Sequence, residues 1–353
     1  MNYILIGTLA KGGAERQVSY LARLNSICSV FSFSTENFYN VEKHIPILTK
    51  LKCNRFLLLI FAPLFMATKL TCNDTLVSFM EFNNFINILC KLFSKHKAII
   101  SVRTNPEYYF TKKLGFLYIF LIKYLYVYSD LIVCNSNDCR EILIKMGLDC
   151  NTIVVIENGL DLDAISSKAT TIQKNKSLIF CGRLDPVKNL DGLLCVFSSV
   201  IALDSEFSLT IIGDGAEKDR LRKLVLDMGL SDHVKFCGKQ DNPFKYFYKG
   251  STLLLTSYFE GSPNVIIEAM ACGLAIVAAD CKTGPREILY KDNSKFGVLL
   301  NVPMSSADYK IWAKNIIDIY SGEYSNYSKL AFERSINFNC NRILDKWDKH
   351  ING

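Results

Sequence analysis

The chain has 353 residues, of which half are hydrophobic and 21% are charged, with a formal net charge of +7. This length is too great for one ordinary hydrophobic core, so we expect a globular protein of two domains. The 13 cysteines stand singly and the four histidines lie far apart, which disfavours a disulfide framework and a zinc site and indicates reduced thiols in a cytoplasm.

Short apolar runs alternate with helical patterns in the first half. The opening YILIG is typical of a buried strand and leads through Gly12 and Gly13 into a helix predicted to end near Leu24. This start does not resemble a signal peptide, and no apolar run reaches the roughly 20 residues that span a bilayer. The turn lacks the full G-x-G-x-x-G pattern, which disfavours a dinucleotide cofactor. Further strands are predicted at CSVFSF, TLVSF, KAIISV and DLIVC, NTIVVIENG closes this half, and residues 35–73 give no clear pattern.

A basic and aromatic stretch lies within this first half. Seven lysines and arginines stand between positions 91 and 123 against Glu107 alone, a local charge of seven minus one, or +6. The segment EYYFTKKLGFLYIFLIKYLYVY mixes lysines with aromatic residues, which suits a helix on an anionic membrane surface. We predict such a helix around Tyr108 to Tyr128, with a buried helix whose lysines are solvated as the alternative. Nucleic acid is disfavoured because no nucleic-acid-binding motif accompanies the charges.

A polar stretch, SSKATTIQKNKS at residues 166–177, is predicted to be an interdomain linker. Strand and helix patterns then alternate again, from LIFCG through STLLLTS to KFGVLLN. Alternation in both halves predicts an α/β protein with two Rossmann-like parallel-sheet domains and a ligand crevice at the carboxyl ends of the strands. The predicted domains are residues 1–165 and 166–335, with a helix at about 336–353 packing back on the first domain.

Two cations follow the strand LIFCG, in the turn GRLDPVKN. Arg183 and Lys188 stand five residues apart across Pro186, close to where the next helix begins. Two cations at a strand end near a helix N-terminus suit a diphosphate without a metal ion. A surface turn with solvated charges fits the same pattern equally well. In the later segment IIGDGAEKDRL, the acidic residues suit helix capping, so we assign no ligand to it.

A short helix is predicted in the segment EGSPNVIIEAMACG. Ser262 suits its N-cap and Pro263 its first position, because proline has no N–H to leave unpaired. The helix would run to about Cys272, where Gly273 suits the left-handed conformation that ends it. Its first N–H groups would face an anion, as helix N-termini commonly do. These groups belong to Asn264, Val265 and Ile266.

Two glutamates flank this helix start. Glu268 lies one helical turn after Asn264, so both can face one crevice, where a carboxylate would accept hydrogen bonds from a ribose diol. Glu260, in the loop, would accept from hexose hydroxyls or steady positive charge at the anomeric carbon. Taken singly, a helical glutamate is usually a solvated residue.

Four segments occur in the order GGAER, IENGLDLD, GRLDPVKN and EGSPNVIIEAMACGLAIVAADCKTGPREIL. Together they resemble the family-4 retaining glycosyltransferases of GT-B fold, over nearly the whole chain. The last segment carries the family's E-x7-E element and is the most specific. The resemblance implies two Rossmann-like domains facing a central cleft. It also implies transfer of a hexose or N-acetylhexosamine from a nucleotide sugar, a UDP-sugar on family grounds, with retained anomeric configuration.

The resemblance assigns a role to each matched residue. Glu260 would contact the transferred sugar, and Arg183 and Lys188 would neutralise the leaving diphosphate. Gly12 and Gly13 would lie against the donor diphosphate or the acceptor, and Glu268 would hold the ribose. Further donor contacts would come from Ser262, Pro263, Asn264, Val265 and Ile266. Because cations and helix N–H groups would stabilise the leaving group, we expect no metal ion and no cofactor, and we interpret DLD at residues 161–163 as structural.

One strand end departs from the family pattern. Many relatives place a histidine after a central strand of the first domain, whereas IISVRTNP places Arg103 there. We predict that Arg103 contacts an anion or the acceptor. Similar endings resemble those of enzymes that build bacterial surface glycans on lipid carriers, such as O-antigen or capsule. The acceptor would then be a glycan on a lipid diphosphate, and the enzyme would associate peripherally with the inner face of the cell membrane.

Three alternatives use the same residues differently. A glycoside hydrolase also needs paired carboxylates, but it has no use for Arg183 and Lys188 beside them. A non-catalytic partner subunit of a polysaccharide assembly complex would tolerate loss of the charged site residues. All four of them are present, namely Arg183, Lys188, Glu260 and Glu268. A nicotinamide-dependent oxidoreductase is disfavoured by the missing glycine pattern.

Overall fold

The computed structural model describes residues 1–49, 55–107, 115–167, 176–247 and 251–353. They form two compact units, one of residues 1–159 with 340–353 and one of residues 160–339. The division thus lies a few residues before the one predicted after position 165, and the chain returns to the first unit at Cys340. Residues 168–175 of the predicted linker and residues 108–114 of the predicted membrane-surface helix lie outside the described residues.

The first unit is built on one parallel sheet. Its strands are Asn2–Ile6 (β1), Ile27–Ser32 (β2), His44–Pro46 (β3), Thr75–Phe79 (β4), Lys97–Val102 (β5), Leu131–Cys134 (β6) and Ile153–Val155 (β7). Its helices, labelled in chain order, are Gly13–Leu21 (α1), Arg55–Ala67 (α2), Glu81–Ser94 (α3), Gly115–Leu125 (α4), Asn137–Lys145 (α5) and Cys340–Asn352 (α13). The strand order is β3-β2-β1-β4-β5-β6-β7, and the paired strands run parallel.

Helices cover both faces of this sheet, because successive strand residues point to opposite sides. Val77 and Phe79 pack with residues of α1 and α13 on one face. Leu76 and Ile100 pack on the other face, among residues of α2, α3, α4 and α5. The two-sided burial explains why β4 and β5 read as continuous apolar runs, and both have the predicted bounds.

A buried polar network fastens α3 to the sheet. Asn87 Nδ2 donates to the Leu76 carbonyl oxygen at 2.9 Å, and Asn87 Oδ1 lies 2.8 Å from His96 Nε2. The other ring nitrogen of His96 lies 2.7 Å from Ser94 Oγ. Burial lowers the pKa of His96 from 6.5 to about 4, so the imidazole is neutral at neutral pH.

The second unit repeats the plan. Its strands are Ser177–Cys181 (β8), Ser208–Ile212 (β9), Val234–Gly238 (β10), Ser251–Leu255 (β11), Ala275–Ala279 (β12), Tyr290–Lys291 (β13), Ser294–Lys295 (β14) and Val298–Leu300 (β15). Its helices are Leu162–Ser166 (α6), Leu190–Leu203 (α7), Lys218–Asp227 (α8), Asn264–Ala271 (α9), Pro285–Leu289 (α10), Ser306–Asp318 (α11) and Tyr324–Ser335 (α12). The strand order β10-β9-β8-β11-β12-β15 forms a parallel sheet, and β13 and β14 form a separate hairpin.

The second sheet is also covered on both faces. Helices α7, α8 and α11 pack with Phe180 and Leu254 on one side, and α9 and α12 pack with Ile179 and Leu253 on the other. The segment Pro186–Leu203 is long and apolar enough to cross a membrane, but Leu193 and Phe197 within it are fully buried in this core. Its composition therefore follows from core packing.

The predicted α/β class with two Rossmann-like parallel-sheet units is confirmed. In the first unit two elements were not predicted, β3 and α2, and both fall in the stretch without a clear pattern. In the second unit the short helices α6 and α10 and the hairpin of β13 and β14 were not predicted. The short helix α9 begins one residue later than predicted, at Asn264, and its N-cap is Pro263 rather than Ser262. Gly273 does take the left-handed conformation, with φ of 73°.

Candidate active site

An ion pair joins two of the predicted site residues in the second unit. Lys188 Nζ lies 2.7 Å from Glu260 Oε1, and the two side chains are only 16% and 10% exposed. The Ser257 hydroxyl donates to the same carboxylate oxygen at 2.6 Å. The loops after β8 and β11 thus bring a cation and a carboxylate together, as the sequence predicted for one site. Ser257 was not predicted, because it reads as the end of the apolar strand run.

Hydrogen bonds between the two loops hold Lys188 in place. It ends a single 3₁₀ turn over Pro186–Lys188, which leads into α7 through the N-cap Asn189. The Thr256 hydroxyl lies 3.1 Å from the carbonyl oxygens of both Lys188 and Asn189, and the Tyr258 N–H donates to the Val187 carbonyl at 2.9 Å. The ion pair therefore stands on backbone that is fixed from both sides.

The Glu260 loop is fixed in turn by the loop after β12. The Thr283 hydroxyl donates to the Glu260 carbonyl oxygen. Thr283 has φ of 67°, which is strained for a β-branched residue, and Gly284 follows with φ of 88°. A Cβ atom on Gly284 would lie 2.7 Å from the Gly261 carbonyl oxygen, so only glycine fits there. This support for Glu260 was not predicted from the sequence.

Arg183 occupies the loop after β8 but has a different environment. Its side chain is 81% exposed and its Nη2 lies 3.3 Å from Asp185 Oδ2. The loop is fastened by two backbone bonds, from the Leu184 N–H to the Asp214 carbonyl and from the Glu217 N–H to the Leu184 carbonyl. The guanidinium is therefore an accessible cation on an ordered loop.

Gly213 lies directly against this loop. A Cβ atom there would overlap the Gly182 carbonyl oxygen, and one on Gly215 would overlap the Leu184 carbonyl oxygen. The segment IIGDGAEKDRL, whose acidic residues suit helix capping, thus also sets the position of the Arg183 loop. A glycine in the sequence can indicate that another backbone segment comes close to it, but the sequence does not show which segment that is.

Helix α9 follows the Glu260 loop directly. Asn264 and Val265 form its first turn, and both side chains are partly buried. The Ile266 N–H, which we predicted would face the ligand, instead donates to the Pro263 carbonyl at 3.0 Å, and the Ile266 side chain is fully buried in the core. The predicted ligand contact of the Ile266 N–H is therefore wrong, and the anion contacts of Asn264 and Val265 stay predictions.

The second glutamate is not a solvated helix residue. Glu268 is 5% exposed, although a lone helical glutamate is usually in water. Burial, together with the charge of Glu268, raises the pKa of Cys272 to about 12. Burial and then the charge of Glu260 do the same for Cys281, whose pKa is also about 12. Both thiols near the glutamates are therefore protonated at neutral pH and poor nucleophiles.

The glycine turn of the first unit is engaged by a tyrosine. The Gly12 N–H lies 3.3 Å from the Tyr39 hydroxyl oxygen, and that hydroxyl donates to the Gly12 carbonyl at 2.7 Å. Gly12 is the N-cap of α1, and Gly13 is the first residue of that helix. A Cβ atom on Gly12 would overlap the Glu15 carboxylate, whose pKa is raised by burial. Tyr39 and Glu15 were not predicted from the sequence.

Arg103 of the first unit is a buried cation. Its Nε donates to Ser101 Oγ at 2.7 Å and its Nη1 to Asn158 Oδ1 at 2.9 Å. The guanidinium lies over the rings of Phe79 and Trp347, at 5.0 and 5.5 Å. Burial lowers its pKa to about 10, so it remains charged at neutral pH. Among the described residues, no carboxylate forms an ion pair with Arg103, and its contact with an anion or the acceptor stays a prediction.

Two further expectations concern metal ligands. Asp161, in the DLD stretch, caps α6 by accepting from the Ala164 N–H at 3.1 Å, as the structural interpretation of that stretch expects. Within the part of the chain that the structure describes, no group of three or more His, Cys, Asp or Glu residues could hold a metal ion.

Comparison with known proteins matches both units. Residues 82–164 match the family model described as Glycosyltransferase Family 4, and residues 163–326 match that described as Glycosyl transferases group 1.

Two similar proteins come from Campylobacter jejuni. One is an N-acetylgalactosamine-N,N'-diacetylbacillosaminyl-diphospho-undecaprenol 4-alpha-N-acetylgalactosaminyltransferase, 31% identical in an alignment of 316 residues that covers 85% of each chain. The other is the GalNAc-alpha-(1->4)-GalNAc-alpha-(1->3)-diNAcBac-PP-undecaprenol alpha-1,4-N-acetyl-D-galactosaminyltransferase, 27% identical over 98% of this chain and 97% of that protein. A solved structure of Anabaena HepE with UDP and glucose superimposes with a TM-score of 0.79, covering 99% of both chains at 18% identity.

Proposed function

Because this chain belongs to the family-4 glycosyltransferases and has their GT-B fold, we propose that it transfers a hexose or N-acetylhexosamine from a UDP-sugar to a glycan on a lipid diphosphate, with retention of anomeric configuration. The UDP donor is supported by the bound UDP of Anabaena HepE. The acceptor class is supported by the two Campylobacter relatives, whose names specify undecaprenol diphosphate carriers.

The Lys188–Glu260 ion pair is the observation that carries the proposal. The ammonium of Lys188 lies 2.7 Å from a carboxylate and its side chain is only 16% exposed, so it is largely shielded from water and fixed in position. When a nucleotide diphosphate enters, this ammonium exchanges the carboxylate for phosphate oxygens. It then stabilises the charge that gathers on the diphosphate as the glycosidic bond breaks. A hydrolase site would gain nothing from such a cation.

The same exchange releases Glu260 for the sugar. Its carboxylate keeps the hydrogen bond from Ser257 and gains the capacity to accept from a hexose hydroxyl or to face an oxocarbenium-like centre. Arg183 supplies a second cation from its exposed position, and the N–H groups of Asn264 and Val265 add the positive end of α9. Glu268 would bind the ribose. With these groups around the leaving diphosphate, we propose that no metal ion and no cofactor take part.

The acceptor would bind the first unit. Arg103 is a fixed cation without a carboxylate partner among the described residues, which suits an acceptor anion. At the glycine turn, the Glu15 carboxylate beside Gly12 favours a hydroxyl-bearing acceptor over a donor diphosphate. A lipid-linked acceptor also implies peripheral association with the inner face of the cell membrane, which the exposed aromatic residues of α4 support.

Donor hydrolysis tests the proposal directly. Purified protein would be incubated with a panel of UDP- and GDP-sugars, with and without EDTA, and released nucleotide would be measured. We expect slow UDP release from one sugar, unaffected by EDTA, and a severe loss with Glu260→Gln or Lys188→Ala. Lys176→Ala is the matched control, because Lys176 forms surface ion pairs with Asp204 and Glu206 immediately before β8.

Each result has a defined meaning. Near-wild-type turnover by Glu260→Gln would refute the site assignment, and release abolished by EDTA would refute metal-free chemistry. No release and no nucleotide binding across the panel would favour the alternative, a non-catalytic partner subunit of a polysaccharide assembly complex.

A further inference from the structure

Exposed apolar side chains are concentrated on three helices of the first unit. Among the described residues, 12 of the 22 exposed large hydrophobic side chains belong to α2, to the end of α3, or to α4 and the 3₁₀ turn Tyr126–Tyr128 that follows it. They are Leu57, Ile60, Phe61 and Leu64, then Leu92 and Phe93, and then Phe116, Leu117, Phe120, Tyr124, Val127 and Tyr128. We call this set the apolar platform.

On α2 the exposed residues form one stripe. Leu57, Ile60, Phe61 and Leu64 follow the spacing i, i+3, i+4 and i+7, which places them on one helix face. The opposite face is also apolar, and Met66 on it is fully buried against the sheet. A helix that is apolar on all sides requires a nonpolar environment on its outer face as well as in the core. The exposed stripe of α2 is therefore not explained by packing within the unit.

The three helices lie in one layer. Helices α2, α3 and α4 cover the same face of the sheet, and Leu59 of α2 packs against both hydrophobic clusters on that face. Helix α3 is almost wholly buried, with only its end residues Leu92 and Phe93 reaching the surface as large exposed side chains. Because the buried side of each helix faces the sheet, the exposed stripes of α2 and α4 point away from it together. The platform is thus a single outward-facing surface.

The charges around the platform are mainly basic, and the exposed carboxylate of Asp130, two residues after Tyr128, is paired with Lys91 at 2.7 Å. There is no Asp or Glu between positions 55 and 73 or between 115 and 129, and Glu81, the one acidic residue of α3, is 1% exposed. Exposed lysines stand beside each helix, namely Lys69 after α2, Lys95 after α3 and Lys123 within α4. An apolar surface with a predominantly basic rim complements a bilayer with anionic headgroups.

We propose that the apolar platform lies on the surface of an anionic bilayer, with α2 and α4 in the headgroup region and the three lysines among the lipid phosphates. Tyr124 and Tyr128 suit this depth, since tyrosine is favoured at membrane–water interfaces. A second copy of the chain fits the platform less well, because a two-fold symmetric dimer would bring the rim lysines of the two copies close together, where they would repel each other. The inference deepens the proposed function, on which it rests for the lipid-linked acceptor.

Vesicle co-sedimentation tests the platform. Wild-type protein would be mixed with vesicles of phosphatidylcholine alone and of phosphatidylcholine with an equal share of phosphatidylglycerol. We expect binding to the mixed vesicles that weakens as salt is raised. The Ile60→Asp/Phe120→Asp double variant should bind at least about tenfold more weakly, because both charges would enter the headgroup region. Lys95→Ala and Lys123→Ala should each weaken binding to the mixed vesicles about fivefold.

Leu226→Asp is the control for these variants, because Leu226 is 68% exposed on α8 in the other unit. It should bind vesicles as the wild type does. Unchanged binding by the Ile60→Asp/Phe120→Asp variant would overturn the proposal, and so would a wild type that binds neither vesicle. A concentration-dependent dimer that the same double variant dissociates, without vesicle binding, would assign the surface to a second copy instead.

Donor hydrolysis without vesicles or acceptor separates this inference from the proposed function. The platform variants should release nucleotide at the wild-type rate. If the wild type binds vesicles but releases nothing from any donor, the proposed function fails and the platform stands. If the wild type releases UDP but the double variant still binds vesicles, the platform fails and the proposed function stands.

Discussion

Removing the charge of Glu260 should strengthen UDP binding while it weakens sugar transfer. Lys188 Nζ and the Ser257 hydroxyl both donate to one oxygen of Glu260. UDP must compete with that carboxylate for the ammonium. In Glu260→Gln the amide oxygen still accepts both hydrogen bonds, but it holds Lys188 less strongly and no longer repels the diphosphate. The ammonium is therefore released to UDP at a lower cost.

The size of the effect follows from the burial of the pair. Because the side chains of Lys188 and Glu260 are only 16% and 10% exposed, screening by water and salt is limited. In Glu260→Gln the ammonium stays charged and keeps a hydrogen bond to the amide oxygen, so only the charge–charge attraction is lost. Loss of that attraction relaxes the hold on Lys188 by about 1 kcal/mol. That corresponds to UDP binding about fivefold more tightly. Lys188→Ala should instead weaken UDP binding by about tenfold or more, since it removes a charged contact.

Isothermal titration calorimetry with UDP measures both changes. Glu206→Gln is the matched control, because Glu206 also pairs with a lysine, at 2.6 Å, but is 74% exposed. It should leave UDP affinity unchanged. If Glu260→Gln binds UDP no more tightly than the wild type, then Lys188 does not exchange between carboxylate and diphosphate, and the account of the site is refuted.

Three more predictions test other parts of the structure. Gly213→Ala should displace the Arg183 loop and so lower kcat/KM for donor hydrolysis by about tenfold or more. Gly229→Ala is the control and should leave kcat/KM unchanged, because Gly229 also has positive φ but a Cβ atom there meets no atom within 4 Å. Equal effects of the two variants would contradict the packing argument. Glu268→Ala should weaken UDP binding by about tenfold in calorimetry with little change in kcat at saturating donor, whereas unaltered affinity would exclude the ribose contact. The pKa of His96 is lowered from 6.5 to about 4 in the folded protein, so the unfolded chain takes up a proton first as the pH falls. The free energy of unfolding, measured with urea, should therefore decrease by about 3 kcal/mol as the pH drops through that interval. His96→Asn should show a shallower fall, and an identical pH profile would rule out His96 as the cause.

Two strands that are buried on both faces, β4 and β5, were predicted with the bounds that they have in the structure. The strands β4 and β5 lie in the middle of a parallel sheet, so their apolar runs are unbroken and their bounds are clear. The unpredicted strand β3 has three residues, His44–Pro46, at the edge of the sheet, where no apolar run is needed. The unpredicted helix α2 is apolar on all sides and contains Pro63, so neither periodicity nor capping marked it.

The site was predicted as a set of residues but not as an arrangement. Motifs placed Lys188 and Glu260 in two loops, whereas their pairing depends on side-chain conformations that no spacing encodes. Thr283 could not be found because threonine rarely takes positive φ, and the strain appears only in the folded loop. Gly213 was visible as a glycine, but its contact with Gly182 joins neighbouring strands, and strand order follows from tertiary packing.

Because α13 belongs to the first unit, the order in which the units can be completed on the ribosome differs from their order in the sequence. Residues 160–339 are contiguous and can fold as soon as they emerge, whereas the first unit must wait until α13 has been synthesised. Trp347 of α13 packs on Phe79 and lies beside Arg103. Until that helix docks, the guanidinium of Arg103 lacks one of its two aromatic neighbours. A nascent chain could therefore have a finished Lys188–Glu260 pair while the Arg103 site is still unformed.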